Sequence, residues 1–570
     1  MSRLSGRHPR MIYTLPVTVL IALWPSPAAF PQFYFVENAK ERGIDFLQRN
    51  GSLEKEYIVE AKGAGVAVAD VNGDGWDDIY LVNGAPLQGE GPDPQPRNQL
   101  FMNQGDGTFQ DGTDASGLGD TGFGTGAYFA DVDNDGDLDC YLTNYGPNQL
   151  YINDGQGHFA AVPDAGGAQN TGWSTGAAFA DINGDGFLDL YVANYAIFSP
   201  EIAEKKGKLA PFHGHLAFIG PSSFEPADDN LFLNDGHGRF VDVSKARGIQ
   251  SCPPGRGFTV LFTDLDDDGD LDIYVANDTT ANHLFENDGK GYFEDIALLA
   301  NAGLDENGEE QGGMGAAVRD VDGDLDLDIA VANYQDEYNI LYRNDGRLQF
   351  TDASFVSGIA QGTRPYVSFG LLLEDFNNDS WDDMFISTGH VYPITDQLLD
   401  LFIGYAQYNL LFYNQGKGRF KNVSEHYGPV SSRKSVSRGC AAADFDRDGD
   451  LDIIINNLDS TPLFFENQSP SGNWLEVCVQ DERGMPAYGA RVQVNGESRS
   501  QIVELYSSAS FLSQSSAALH FGLGKDQHIK SIQIRWPDGS QKEFKDIPIN
   551  RRVIMRKNSG EVGYADGSGK

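Results

Sequence analysis

A nine-residue pattern with a carboxylate or its amide at positions 1, 3, 5 and 9 recurs seven times along this chain, and no other sequence feature restricts the fold as tightly. It reads DVNGDGWDD from Asp70, DVDNDGDLD from Asp131, DINGDGFLD from Asp181 and DLDDDGDLD from Asp264. It continues as DVDGDLDLD from Asp320, DFNNDSWDD from Asp375 and DFDRDGDLD from Asp444. The side-chain oxygens come from Asp70, Asn72, Asp74 and Asp78, then Asp131, Asp133, Asp135 and Asp139, then Asp181, Asn183, Asp185 and Asp189. The fourth and fifth copies supply Asp264, Asp266, Asp268 and Asp272, and Asp320, Asp322, Asp324 and Asp328. The last two supply Asp375, Asn377, Asp379 and Asp383, and Asp444, Asp446, Asp448 and Asp452. Alternate oxygens on a tight turn can enclose one hard cation, and the position-7 carbonyl adds another ligand. That carbonyl belongs to Trp76, Asp137, Phe187, Asp270, Asp326, Trp381 and Asp450. Glycine at position 6 allows a left-handed turn. Ca²⁺, with six to eight oxygens in flexible geometry, is the expected ion, up to seven per chain.

An EF-hand needs a bidentate Glu at position 12. Here that position is Leu81, Leu142, Val192, Val275, Val331, Ile386 and Ile455, all apolar and all on alternating, strand-like stretches. Strand-like runs such as GAGVAVA and GAYFA also precede the loops. A third element of the type N-x-L-[FY]-x-N begins at Asn98, Asn148, Asn282, Asn339 and Asn409, with a near match at Asp229. A glycine turn and a fourth strand follow, as in GDGTF and GHGRF. Four short strands per unit predict an all-β fold: a seven-bladed β-propeller with calcium-binding loops, plus a small C-terminal β domain. The seventh unit lacks its own fourth strand, and FYFVENAKERGI, Phe33 to Ile44, matches the missing pattern. The start of the folded chain is therefore expected to close the last blade and protect its edge. The expected propeller covers residues 33–470.

Acidic residues number 83 against 41 basic, a formal charge of −42. That balance excludes nucleic acid as an expected partner, because phosphate binding needs clustered Lys and Arg. Residues 473–570 carry 13 basic and 11 acidic side chains, a net +2, which leaves −44 on the rest. This shift marks a separate β domain over 473–556, followed by a tail, 558–570, expected to be disordered. Arg3, Arg7 and Arg10 precede an apolar run from Met11 to Trp24, and small residues follow. Residues 1–28 read as a signal peptide, with no membrane span expected in the mature chain. Four cysteines, Cys140, Cys252, Cys440 and Cys478, permit three pairings and do not amount to a disulfide scaffold.

The repeats, of the form G-x-x-x-A-D-x-[DN]-x-D-G-x-x-D, resemble FG-GAP or VCBS repeats, the propeller units of integrin α chains. NWLEVCV at Asn473, GARVQV at Gly489, FLSQSSAALHFGLG at Phe511 and IQIRWPDG at Ile532 resemble the ASPIC/UnbV domain. Their order is similar to the cartilage acidic protein family, without its EGF-like module, since no cysteine follows Cys478. The resemblance implies a secreted calcium-binding propeller, a monomer, acting as an extracellular interaction or matrix-associated protein on a protein or glycan ligand. No catalysis is expected. The alternative is an exported hydrolase or lyase acting on polysaccharide or lipid head groups, since propellers host such chemistry.

Other motifs carry less. GWSTG at Gly172 matches a nucleophile elbow, but it stands where a sibling repeat reads GFGTG, and no helix follows. N-x-[ST] acceptors at Asn50, Asn277, Asn378, Asn422 and Asn467 would make a glycoprotein, with Asn378 disfavoured inside a loop.

Overall fold

The computed structural model describes residues 33–87, 95–398, 404–426, 429–470, 472–559 and 562–565. The expected signal peptide lies outside them. Seven four-stranded antiparallel sheets follow one another along the chain. Their first strands are Val66–Ala69, Phe123–Ala130, Ser174–Ala180, Gly257–Thr263, Ala316–Arg319, Ser368–Glu374 and Ser437–Ala443. Each first strand packs against the next, and Ser437–Ala443 packs back on Val66–Ala69, so the seven sheets close a ring. Every acidic pattern is the hairpin between the first and second strands of its sheet. The first strands are buried throughout, which is why small and β-branched residues fill them.

The fourth strand of the seventh sheet is Phe35–Glu37, in register Phe35↔Asn467, Val36↔Glu466 and Glu37↔Phe465. Phe33 and Phe35 enter the core of that sheet beside Phe376, Phe385 and Phe465. Joining the two ends of a ring in one sheet removes a free edge and ties down a terminus.

Beyond the ring lie two further four-stranded sheets. One holds Ala518–Gly524, Asn473–Gln480, Arg552–Arg556 and Gly563–Tyr564; the other holds Ser500–Glu504, Arg491–Gly496, Ile529–Arg535 and Gln541–Phe544. Gly563 and Tyr564 pair with Ile554 and Val553. The expected disordered tail is thus corrected: part of it is an edge strand. The four cysteines are unpaired.

The C-terminal unit does not stand apart from the ring. Its segment Ser507–Ser516 enters the axis and hydrogen-bonds the first strand of all seven sheets. Gln514 exchanges backbone bonds with Val66 and Val68 and grips Phe129 with its amide, at 2.8 and 3.0 Å. The Ser507 hydroxyl bridges the N–H and carbonyl of Phe179, each at 2.7 Å. The Ser510 carbonyl accepts from Thr259 Oγ1, its N–H donates to the Ala316 carbonyl, and its hydroxyl accepts from the Leu371 N–H. Ser515 Oγ accepts from the Ala442 N–H at 3.2 Å. Phe511 is fully buried between Phe258 and Phe369, each ring 5.0 Å away. Where the plug passes, Gly65 has no alternative: a Cβ there would sit 1.6 Å from the Leu512 carbonyl oxygen.

Candidate metal centres

All seven loops share one backbone. Position 6 is left-handed in every copy, with φ of 91°, 99°, 85° and 102° at Gly75, Gly136, Gly186 and Gly269, and 95° at Gly449. Leu325 and Ser380 hold the same conformation, at 75° and 77°. Position 4 is left-handed as well, through Gly73, Asn134, Gly184, Asp267, Gly323, Asn378 and Arg447. The sequence reading missed this second turn, although glycine, asparagine and aspartate at six of these positions are its signal.

The turn folds around position 1. Its carboxylate accepts the N–H of position 6 in each loop, from 2.6 Å at Ser380→Asp375 to 3.3 Å at Gly136→Asp131. The position-5 carboxylate accepts the N–H of position 7 in six loops. Position 9 is buried in all seven, and one of its oxygens accepts the N–H of the asparagine that ends the third strand, at 2.8–3.0 Å. That asparagine then donates its side-chain amide to the position-2 carbonyl of the preceding loop. Asn153 reaches Val71, Asn234 reaches Val132, Asn287 reaches Ile182 and Asn344 reaches Leu265. Asn414 reaches Val321, Asn467 reaches Phe376, and Asn103 closes the circle on Phe445. The last residue of the N-x-L-[FY]-x-N motif is therefore the stitch between neighbouring loops. The motif is plain in the sequence, but its partner is one repeat away and invisible there.

A carboxylate has about four acceptor sites, so these N–H bonds leave capacity for a cation. Oxygens of Asp131, Asp133 and Asp139 lie within 4.8 Å of one another, as do those of Asp320, Asp322 and Asp328. In the fourth and seventh loops the triads are Asp264, Asp266 and Asp268, and Asp444, Asp446 and Asp448. Where position 3 is asparagine, its amide stands against position 9, Asn183 at 3.5 Å from Asp189 and Asn377 at 3.2 Å from Asp383. In the first loop the Asn72 amide turns instead to Asp74, at 3.0 Å. Buried oxygens of Asp133, Asp137, Asp264, Asp270 and Asp450 make no hydrogen bond. Burial pushes Asp78, Asp139 and Asp189 up to about 8, and Asp70, Asp131 and Asp320 up to about 6. A bound cation would hold such carboxylates ionised. An all-oxygen donor set fits calcium.

The C-terminal unit supplies counter-charge from outside. Arg552 approaches Asp77 at 3.7 Å, Arg483 approaches Asp131 at 3.8 Å, and Arg499 approaches Asp320 at 3.8 Å. Arg535 pairs with Asp264, and Arg491 with Asp267 at 2.9 Å. This docking explains why a near-neutral unit ends a strongly acidic chain.

Ser380→Gly should tighten calcium binding at the sixth loop by up to about tenfold. A Cβ in the left-handed region costs roughly 1–2 kcal/mol, and 1.4 kcal/mol is one decade. The gain at Leu325→Gly should be smaller, because the Leu325 side chain packs on the core of the fifth sheet. Calorimetric titration measures both; unchanged affinity in each would show that the strain is equal with and without the ion.

Of two other motifs, the reading of one holds and that of the other changes. Ser174 of GWSTG is buried on a first strand, donating to Asn194 and accepting from Asn148, each at 3.0 Å, with no nucleophile elbow. Asn50, Asn277, Asn378 and Asn467 are buried, which corrects the glycan acceptors: of the five, Asn422 alone is exposed.

The FG-GAP-like repeat family matches residues 70–142, 131–192, 264–331 and 395–455, and the ASPIC and UnbV family matches 481–562. The chain is thus an FG-GAP-repeat protein with a C-terminal ASPIC/UnbV domain. The Asp375 loop falls outside the matched stretches yet has the same geometry. Among individual proteins the chain is similar to cartilage acidic protein 1 of Mus musculus, 27% identical over 347 residues, 58% of this chain and 50% of that protein. The Homo sapiens protein of that name is 27% identical over 350 residues, 58% of this chain and 49% of that one. The chain therefore spans about half the length of these relatives. A solved structure concerned with recognition of non-reducing terminal N-acetylglucosamine by an Agrocybe aegerita lectin is 18% identical, with a TM-score of 0.35, over 69% of this chain and 85% of that one. Among the described residues no helix is long and apolar enough to cross a membrane.

Proposed function

We propose that this chain is a secreted, calcium-loaded seven-bladed propeller acting as an extracellular interaction or matrix-associated protein, not as a catalyst. The observation that carries the reading is the sevenfold identity of the loops: left-handed residues at positions 4 and 6, one position-1 cradle and a buried position-9 carboxylate, with carboxylate oxygens gathered within 4.8 Å in four of them. A stitch from each sheet to the preceding loop makes every ion a fastener between neighbours as well as within a hairpin. The plug fills the axis, where propellers commonly hold their ligands, so a partner would meet the outer faces and the rim. Similarity to proteins named cartilage acidic protein 1 supports an extracellular setting. The ligand would be a protein or glycan. The test is capture of a saturable partner from extracellular material in calcium, lost in a chelator, run beside a broad hydrolase panel. Turnover of any panel substrate, abolished by a point substitution that leaves the fold intact, would replace this reading with the enzymatic one.

A further inference from the structure

Cys252, His283 and Asp295 meet on the outer part of the fourth sheet, apart from the acidic loops. His283 opens the third strand, His283–Asn287, and Asp295 ends the fourth, Phe293–Asp295. Cys252 lies on the segment that leads into Gly257–Thr263. One ligand atom from each lies within 4.8 Å of the other two.

His283 is 7% exposed, and its Nδ1 has no hydrogen-bond partner. The Pro253 carbonyl, an acceptor, lies beside the ring and favours a proton on it. With that proton on Nε2, Nδ1 keeps a buried lone pair, on a ring grouped with a thiol and a carboxylate. A backbone carbonyl that fixes the far N–H is the usual support of a metal-bound histidine.

Sibling sheets show that the fold does not require this trio. The residue matching His283 is Gln99 in the first sheet and Asn230 in the third. Each donates its amide to the matching aspartate, Gln99 to Asp111 at 3.3 Å and Asn230 to Asp242 at 3.0 Å. In the fourth sheet His283 Nδ1 makes no such bond, and an unmet buried polar atom is a cost. Thiol, imidazole and carboxylate together are the donor set of zinc and similar borderline ions, whereas calcium takes oxygen alone.

We propose that Cys252, His283 and Asp295 bind one divalent transition-metal ion of the zinc class, with water completing the coordination. The ion takes the Nδ1 lone pair, one Asp295 oxygen and the Cys252 sulfur, whose proton leaves to solvent. Bonds of about 2.0–2.3 Å in a tetrahedron draw the ligand atoms to roughly 3.5 Å apart. The half-buried Cys252 and Asp295 side chains therefore close in around a fixed His283.

The test uses the full chain, reduced and saturated with calcium, titrated with Co²⁺. One equivalent should give a near-ultraviolet thiolate-to-cobalt charge-transfer band with tetrahedral visible bands, displaced by one equivalent of Zn²⁺. Cys252→Ser should abolish the charge-transfer band. His283→Gln, which installs the amide of the sibling sheet, should keep the fold and weaken Co²⁺ binding at least tenfold. Circular dichroism and calcium stoichiometry should match the parent in both variants. Absence of the band, its survival in Cys252→Ser through Cys140, Cys440 or Cys478, or unchanged Co²⁺ affinity in His283→Gln would each overturn the proposal.

Discussion

Stripping calcium from the protein should lower its melting temperature by about 10 °C. Sites of this type bind near 10⁻⁴ M, and extracellular calcium is about millimolar. Linkage then gives RT ln 11, about 1.4 kcal/mol per site and on the order of 10 kcal/mol for seven. Residues 33–470 unfold with an entropy of about 0.9 kcal/mol per kelvin at ordinary per-residue values, which converts the loss into that shift. The pH dependence should also change. Without the ion, Asp78, Asp139 and Asp189 are pushed up to about 8 by burial, against about 3.9 in an unfolded chain. A raised carboxylate means that the folded state holds protons the unfolded state has released. The chelated protein should therefore be most stable near pH 4 and lose stability as pH rises toward 8. Protons compete with calcium, so the extra stability that calcium confers should shrink as pH falls through the same window. Melting curves from pH 5 to 8, in calcium and in chelator, should converge on the acid side. Superimposable curves at pH 8 would mean that the loops hold no ion that matters to the fold.

The loops are legible in sequence because their chemistry is local. Nine residues contain the ligands, the turn and the strand boundaries, so seven copies can be read without knowing what surrounds them. The last strand is legible for a related reason: Phe33 to Ile44 repeats a pattern whose place in the seventh unit is missing. What hides is what depends on distant partners. Asn153 is visible as a motif residue, but its bond to Val71 spans 82 positions. Asn277 satisfies a glycosylation pattern, yet its side chain donates to the Ala281 carbonyl inside a buried strand end. Cys252, His283 and Asp295 come from three separate segments, and only the folded fourth sheet brings them together. The plug is the largest such case, because SSASFLSQSS has no periodicity of strand or helix and declares nothing until seven first strands surround it.

That plug makes ring and C-terminal unit one cooperative body, and Phe511→Ala should expose this. The side chain is fully buried on the axis against Phe258 and Phe369. Truncating a buried phenylalanine costs about 3–5 kcal/mol through lost transfer energy and the cavity left behind. Solvent cannot refill the cavity easily, because polar anchors hold the segment on either side: Ser510 to Ala316 and Leu371, and Gln514 to Val66 and Phe129. The backbone cannot collapse inward either, since Gly65 already touches the Leu512 carbonyl. The loss should therefore appear almost in full, as a fall of about 3–4 °C in a chain of this size. Its distribution is the sharper test. If the plug only decorates the ring, scanning calorimetry will resolve two transitions, and Phe511→Ala will move the C-terminal one alone. With bonds to every first strand, the parent should unfold in a single transition, and the substitution should shift it whole. A C-terminal unit melting ahead of an unperturbed ring would sink the argument.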